Sequence, residues 1–386
     1  MKVALVYDRV NKWGGAERLL LALHKLFPSA PLYTSIYNRK TAPWAKDFTI
    51  IPSFLQKLPW VSSSHELLAP LMPIAFESFS FDEYDLVISV TSEAAKGIRT
   101  KSTTKHICYC LTPTRYLWSG YEEYFKNGVF RFFSKPIVSY LQKWDVAAAQ
   151  RPDAYIAISQ EVQKRIKKYY NRDSAVVYPP VELDGRRWKV EDSTLKIENR
   201  SLINPQSSTI KKLPSTFYPL SSRNKYFLVV SRLVPYKRID IAIEACNKLK
   251  VPLKIIGTGS SEHYLKSIAG STIEFLGNLT DSELVGYYKN CQALLFPGKE
   301  DFGLTVLEAQ SFGKPVIALK AGGVLETVVE GKTCIFFYPQ KTYALVEALK
   351  KFRNIRFSET DCIRQAEKFS AEKFDREFLK TIEKII

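Results

Sequence analysis

Apolar residues along this chain gather into short unbroken runs, set between turns and segments of helical spacing. The runs KVALVYD at 2–8, LYTSI at 32–36, DLVIS at 85–89, HICYC at 106–110, DAYIAIS at 153–159, YFLVV at 226–230, LKII at 253–256, ALLF at 293–296 and VIA at 316–318 carry few polar residues. Runs of this length without alternation read as strands covered on both faces, the environment of a parallel sheet. After several of them the period lengthens to that of a helix. Leu19, Leu20, Leu23 and Leu26 form one apolar face, and residues 160–170 form a basic helix. A further helix is expected to start over 92–97. Strand alternating with helix along the chain predicts an α/β fold built on parallel sheets. With 386 residues there is enough chain for two domains, each with its own core.

The pattern breaks between 185 and 224. Apolar residues are few there, Ser, Thr, Asn and Pro are frequent, and basic residues outnumber acids. That composition reads as an exposed, flexible basic insertion between domains. It divides a first domain, residues 1–181, from a second, residues 226–365, with 182–225 as linker. Residues 366–386 read as a charged amphipathic helix.

The stretch 294–323 organises the second half. An apolar strand ends at Phe296, a turn follows at 297–299, then Glu300, Asp301, Phe302 and Gly303. Helical spacing begins at Leu304 and Thr305 and stops at Gly313-Lys314-Pro315. The first turn of a helix offers free backbone N–H groups and a positive dipole end, which suit a phosphate or a sugar oxygen. Gly303 lets a ligand come close to the backbone. Glu300 and Glu308 can address one ligand from two sides, and carboxylates accept hydrogen bonds from vicinal hydroxyls. A solvated acidic turn followed by a helix-face glutamate fits the same spacing.

Other strand ends carry matching chemistry. Gly14-Gly15 follows the first strand and opens a helix, as a phosphate-proximal turn would, or simply a tight turn. Arg232 and Lys237 straddle a proline turn after the 226–230 strand; a bidentate guanidinium and a point charge suit a diphosphate, and a basic surface loop is the plainer alternative. Gly257-Thr258-Gly259 could lie under a nucleotide. Thr112 to Arg115 fall beyond the carboxyl end of another strand, where parallel sheets bind ligands.

Charge adds a class of partner. The formal net charge is +17, from 56 basic and 39 acidic residues, which favours an anionic partner. No zinc finger or RNA-binding sheet signature accompanies it, so nucleic acid is not expected. Six scattered cysteines form no metal-ligand spacing and read as buried reduced thiols. No apolar run reaches the roughly 18 residues of a membrane span, and the first residues, MKVALVYD, read as a strand. The segments 52–81 and 121–144 interleave aromatics with basic residues. Either a lip at a lipid headgroup layer or aromatic packing on the domain explains them.

The motifs FPGKEDFGLTVLEA and GKPVIALKAGG together resemble the donor site of retaining glycosyltransferases of family four, and HICYCLTPTRYLW resembles their mannosyltransferase-like branch. The resemblance covers most of the chain and implies the GT-B fold, two Rossmann-like domains facing across a cleft, with the last helix crossing back to the first domain. It implies catalytic roles for Arg232, Lys237 and Glu300, with the cations on the leaving diphosphate and Glu300 on the hexose. It implies donor contacts from Gly14, Gly15, Gly257, Phe302, Gly303, Leu304, Thr305 and Glu308, the last on the ribose. Thr112 and Arg115 become sugar or acceptor contacts, while Leu111 stands where many relatives have His and Ser119 where many have Asp. His106 lies five residues back along an extended strand, about 16 Å away, and cannot replace that His. The expected donor is GDP-mannose, with no separate cofactor and no metal. The expected acceptor is a glycan or lipid-linked glycan, reached from the cytoplasm or the inner face of an anionic membrane. A non-hydrolysing nucleotide-sugar epimerase on the same fold, or a non-catalytic binder of membranes or anionic polymers, are the alternatives.

Overall fold

The computed structural model describes residues 1–58, 65–124, 128–181 and 226–386. The predicted linker 182–225 with its basic insertion lies outside them, as do Pro59, Trp60 and Lys126 of the two aromatic segments.

Among the described residues the strands form two parallel sheets. The first contains β1 (Val3–Tyr7), β2 (Leu32–Thr34), β3 (Ile50–Pro52), β4 (Leu86–Thr91), β5 (Lys105–Cys110), β6 (Ala154–Ala157) and β7 (Ala175–Val176), in the order β3-β2-β1-β4-β5-β6-β7. The second contains β8 (Phe227–Val230), β9 (Leu253–Ile256), β10 (Ile273–Gly277), β11 (Ala293–Phe296), β12 (Val316–Leu319) and β13 (Cys334–Phe337), in the order β10-β9-β8-β11-β12-β13. β1, β4, β11 and β12 are buried at every position, which is why they are apolar without alternation. Strand order reverses at β1/β4 and again at β8/β11. In doubly wound sheets ligands bind beyond the carboxyl ends of strands at that reversal. Glu300, Arg232 and the Gly14-Gly15 turn all follow such strand ends. All six cysteines are buried and unpaired.

Two predicted helices differ from the structure. The 366–386 segment is not one helix: Glu359–Glu367 ends, the chain turns, and Ala371–Glu383 begins, because the Ser370 hydroxyl accepts from the Lys373 N–H and caps a new start. The turn coincides with a crossing between domains, where the Val181 N–H donates to the Phe369 carbonyl at 2.9 Å. Phe374, Phe378 and Ile382 of the last helix then sit in the core of the first sheet, against the ring of Tyr109. Over 92–97 only a short 3-10 turn, Ala95–Gly97, forms. The buried carboxylate of Asp8 takes the N–H groups of Ser92, Ala94 and Ala95, and Lys96 points inward.

Lys96 and Asp145 form an ion pair at 2.5 Å, each side chain 1% exposed. Asp145 also accepts from Thr114 Oγ1 at 2.9 Å, Trp118 Nε1 at 2.7 Å and the Tyr170 hydroxyl at 2.8 Å. The network joins the 95–97 turn, the 112–118 loop, the long helix Gly128–Ala148 and the helix Gln160–Tyr170. Removing one partner of a buried pair strands the other charge and costs about 3–5 kcal/mol. Asp145→Ala is therefore expected to lower the urea midpoint by that equivalent; an unchanged midpoint would show that the network does not hold these elements together.

Candidate functional site

The loop after β11 is shaped by glycines. Gly303 has φ +96°, which L side chains rarely adopt, and it precedes the helix Leu304–Ser311. Gly322 and Gly323 pack beneath Glu300 and Asp301: a Cβ on either would fall 2.4 Å from the Glu300 carbonyl oxygen or 2.2 Å from that of Asp301. The Gly323 N–H donates to the Glu300 carbonyl at 2.9 Å. The double glycine of the KAGG run is thus what seats the acidic loop on the sheet.

The loop's charges meet cations from several elements. Glu300 forms an ion pair with Lys237, which reaches it from the 3-10 turn Pro235–Lys237 after β8. Arg232, at the near end of the same turn, donates to the Tyr236 hydroxyl at 2.8 Å. Gly257 lies against the strand end that carries Arg232, where a Cβ would come within 2.0 Å of the Ser231 carbonyl oxygen. Glu308 is buried; one carboxylate oxygen pairs with Arg18 and the other accepts from the Tyr288 hydroxyl at 2.7 Å. Arg18 also reaches Asp281 at 3.3 Å. Burial opposes the charge on Arg18, but Glu308 and Asp281 outweigh it and hold the guanidinium protonated.

Arg18 belongs to the first helix, Gly15–Leu26, so its pair with Glu308 crosses from one domain to the other. The approach is close, since a Cβ on Gly15 would fall 2.5 Å from Leu304 Cδ1. Beside Gly14 the buried Glu17 accepts from the Tyr7 hydroxyl at 2.6 Å. Burial raises the Glu17 pKa, while Tyr7, Lys12 and Arg232 act the other way. Burial likewise lowers the pKa of Lys12, against the pull of Glu17. The glycine turn of the first domain therefore faces Arg232 of the second.

Asp301 is the second bridge. Its carboxylate pairs with Arg115 at 2.9 Å and with Arg165, and its carbonyl accepts from Ser159 Oγ at 2.6 Å. Arg115 also lies 4.8 Å from the ring centroid of Tyr236. Thr112 accepts from Arg165 at 3.3 Å. Glu326 is a third: it accepts the N–H groups of Gln160 at 2.7 Å and Glu161 at 3.0 Å, completing a helix start in the other domain.

The structure pairs Lys237 with Glu300, ties Arg232 to the same turn through Tyr236, packs Gly15 against Leu304 at the Gly303–Thr305 helix start, and pairs Glu308 with Arg18 of the helix that Gly15 opens. Phe302 differs: its ring is buried, stacked on Tyr178 at 5.6 Å and edge-on to Phe369, so only its backbone remains to meet a ligand. Thr112 and Arg115 lie in the wall with Asp301. His106 is buried within β5 with Ser89 Oγ at 2.8 Å, and burial pushes its pKa down to about 3, so it is a neutral core residue. Sequence reasoning missed Arg18, Asp301, Arg165 and Glu326. Asp301 had a signal in its place between Glu300 and Phe302; the others sit on ordinary helix faces.

Residues 216–369 match the family model of glycosyl transferases group 1. The alpha-1,3/1,6-mannosyltransferase ALG2 of Dictyostelium discoideum is 25% identical over 367 residues, covering 83% of this chain and 82% of that protein. The O-antigen chain mannosyltransferase C of Escherichia coli is 28% identical over 163 residues, covering 39% of this chain and 44% of that protein. The chain spans 82% of the Dictyostelium protein but only 30% to 49% of the length of seven other curated relatives that it matches. The crystal structure of Anabaena HepE in complex with UDP aligns over 100% of both chains with a TM-score of 0.67 at 19% identity, a likeness of fold.

The Arg18–Glu308 pair makes a direct claim on stability. A double-mutant cycle with Arg18→Ala and Glu308→Gln is expected to show a coupling of roughly 0.5–3 kcal/mol in thermal or urea unfolding. Strict additivity would mean that the two side chains do not interact across the cleft.

Proposed function

We propose that the chain is a family-four glycosyltransferase of the GT-B fold acting in glycan synthesis, and that it moves mannose from GDP-mannose, with retention, to a lipid-linked or polysaccharide acceptor. The observation that carries this reading is the pairing of Lys237 with Glu300, with Arg232 held to the same turn by Tyr236, beyond the strand ends where the order of the second sheet reverses. Two cations at that place suit a departing diphosphate, and preorganised charge of this kind is commonly the largest catalytic term. They stand where a metal would otherwise be needed. Mannose as the sugar is supported by the activities for which both relatives are named.

In the proposed reaction the acceptor hydroxyl oxygen bonds to the anomeric carbon from the face the diphosphate leaves. The bond from that carbon to the phosphate oxygen breaks, and the departing oxygen takes the hydroxyl proton. No separate base is required. The diphosphate draws Lys237 away from Glu300, which frees the Glu300 carboxylate for the hexose hydroxyls. Glu308 accepts from the ribose, and the helix-start N–H groups at 303–305 face the phosphate.

Purified Arg232→Ala or Lys237→Ala, folded as the parent, is expected to lose roughly 10²-fold or more in turnover, the scale of losing one transition-state donor. Glu308→Gln should weaken GDP as well as GDP-mannose, whereas Glu300→Gln should leave GDP binding nearly intact. Parental turnover in the cation variants, or the reverse pattern in calorimetry, sinks the assignment.

The reading extends to an anionic bilayer as the place of work. No helix among the described residues is long and apolar enough to cross a membrane. Yet Phe54, Ile74, Phe132 and Ile137 are exposed, Phe132 at 70%, and Lys135 and Lys143 accompany them on the helix Gly128–Ala148. Apolar side chains can enter the headgroup layer, and each nearby basic residue adds about 1 kcal/mol, screened by salt. Vesicle binding should need anionic lipid, fall with salt, and drop sharply in Phe132→Ser/Ile137→Ser. Equal binding to neutral vesicles, or none at low salt, would point to a soluble acceptor.

A further inference from the structure

A separate cavity of about 840 Å³ opens between the two domains, beside the groups assigned to the donor. That volume suits a small-molecule site. Six cations line it: Arg115, Lys164, Arg165 and Lys168 from the first domain, and Arg238 and Lys299 from the second. Glu161 and Asp240 oppose them on the lining. Those carboxylates are already engaged, Glu161 by Arg165 at 2.9 Å and Lys299 at 3.3 Å, and Asp240 by Arg238 at 2.9 Å. Arg115 turns toward Asp301. Lys164 and Lys168, one helical turn apart, have no carboxylate partner among the described residues. The cavity thus holds a surplus of positive charge whose self-repulsion an anion would relieve.

Its position relative to the donor groups is specific. Tyr236 and Arg238 face the cavity, while Lys237 between them pairs with Glu300. Lys299 faces the cavity, while its neighbour Glu300 is turned to Lys237. The 235–238 turn and the 299–301 loop therefore form a wall with the Lys237–Glu300 pair turned from this basic chamber, and Arg232 reaches the wall at the Tyr236 hydroxyl. Tyr169, Tyr236 and Tyr264 add aromatic faces to the chamber. A single carboxylate would answer only one of the surplus charges. A phosphate carries roughly −1.5 to −2 at neutral pH, and guanidinium forks match its oxygens.

We infer that this chamber binds a phosphate or diphosphate ester carried by the acceptor, back to back with the donor's own diphosphate. The inference rests on the assignment of Arg232 and Lys237 to the donor, since that leaves the second group of cations to the other substrate. Lys164 and Lys168 attract the ester, and the shared wall sets the distance from the ester to the anomeric carbon. The acceptor's hydroxyl is then selected by its reach from a charged anchor.

Titration of the whole protein with inorganic pyrophosphate tests this directly. Two sites are expected, one displaced by GDP and one indifferent to it. Lys164→Ala/Lys168→Ala should weaken the GDP-insensitive site by ten-fold or more, and Lys164→Arg/Lys168→Arg should restore it, because charge rather than shape is at issue. Hexose 1-phosphate, or phosphatidylcholine vesicles carrying polyprenyl phosphate but not plain vesicles, should compete for that site, and which of them does identifies a soluble or a lipid-borne ester. A single site wholly displaced by GDP, a GDP-insensitive site that survives the double alanine variant, or competition by neither ester overturns the inference. Failure of the donor reading looks different: GDP would then displace no pyrophosphate and no nucleotide sugar would be consumed.

Discussion

Asp301 is the residue on which the two halves of this protein close. Its carboxylate receives Arg115 and Arg165 from the first domain, its carbonyl receives Ser159, and Gly323 lies directly beneath it. A carboxylate held this way fixes the height of the whole 298–303 loop, so Glu300 on one side and the Gly303 helix start on the other are placed by the same contact. The pairs are about four-fifths shielded from solvent, so solvent screens them only in part and their geometry matters more than it would at a surface. The arrangement explains the two glycines at 322–323. Any side chain there would lift the loop and pull Asp301 away from its arginines.

The charged groups of the cleft are neutralised by one another. Glu300 has Lys237, Glu308 has Arg18, and Glu326 has the open end of the helix Gln160–Tyr170. Each pair is also a competition. Under the proposed function, a diphosphate that took Lys237 would release Glu300, and a ribose that took Glu308 would contend with Arg18, coupling binding there to how closely the domains approach. The Gly15–Leu304 contact leaves no slack on that side. The basic chamber beyond the 235–238 turn is the exception to this self-neutralisation, since Lys164 and Lys168 find no carboxylate among the described residues.

The apolar runs, the strand–helix alternation, the glycine turns and the acidic motif after β11 were legible in the sequence because each is set by neighbours within a few residues. Burial on both faces demands an unbroken apolar run, and a left-handed backbone demands the glycine at 303. The donor-side groups follow strand ends, so knowing the strands was enough to bring Arg232, Lys237 and Glu300 to one region. The misreadings have the opposite character. The break at Ser370 comes from a chain crossing fastened to Val181, and the 95–97 turn stays short where Asp8 and Asp145 draw its groups away. Phe302 stands in the donor motif, and packing alone decided that its ring fills a gap between Tyr178 and Phe369, which leaves its backbone to meet a ligand.

The sequence by itself determined the fold class, the two sheets and the chemistry gathered at the carboxyl ends of their strands, because periodicity and turn residues act locally. Only the tertiary structure decided which charges meet. Arg18 and Glu308 are 290 positions apart, and Arg115 and Asp301 are 186 apart. The Gly14-Gly15 turn just before Arg18 marks the start of its helix but does not say which carboxylate Arg18 meets. Its partner is reached where Gly15 packs against Leu304, and the basic chamber exists because the contacts between the domains, those of Asp301 included, bring the 164–168 helix face opposite the 235–238 turn.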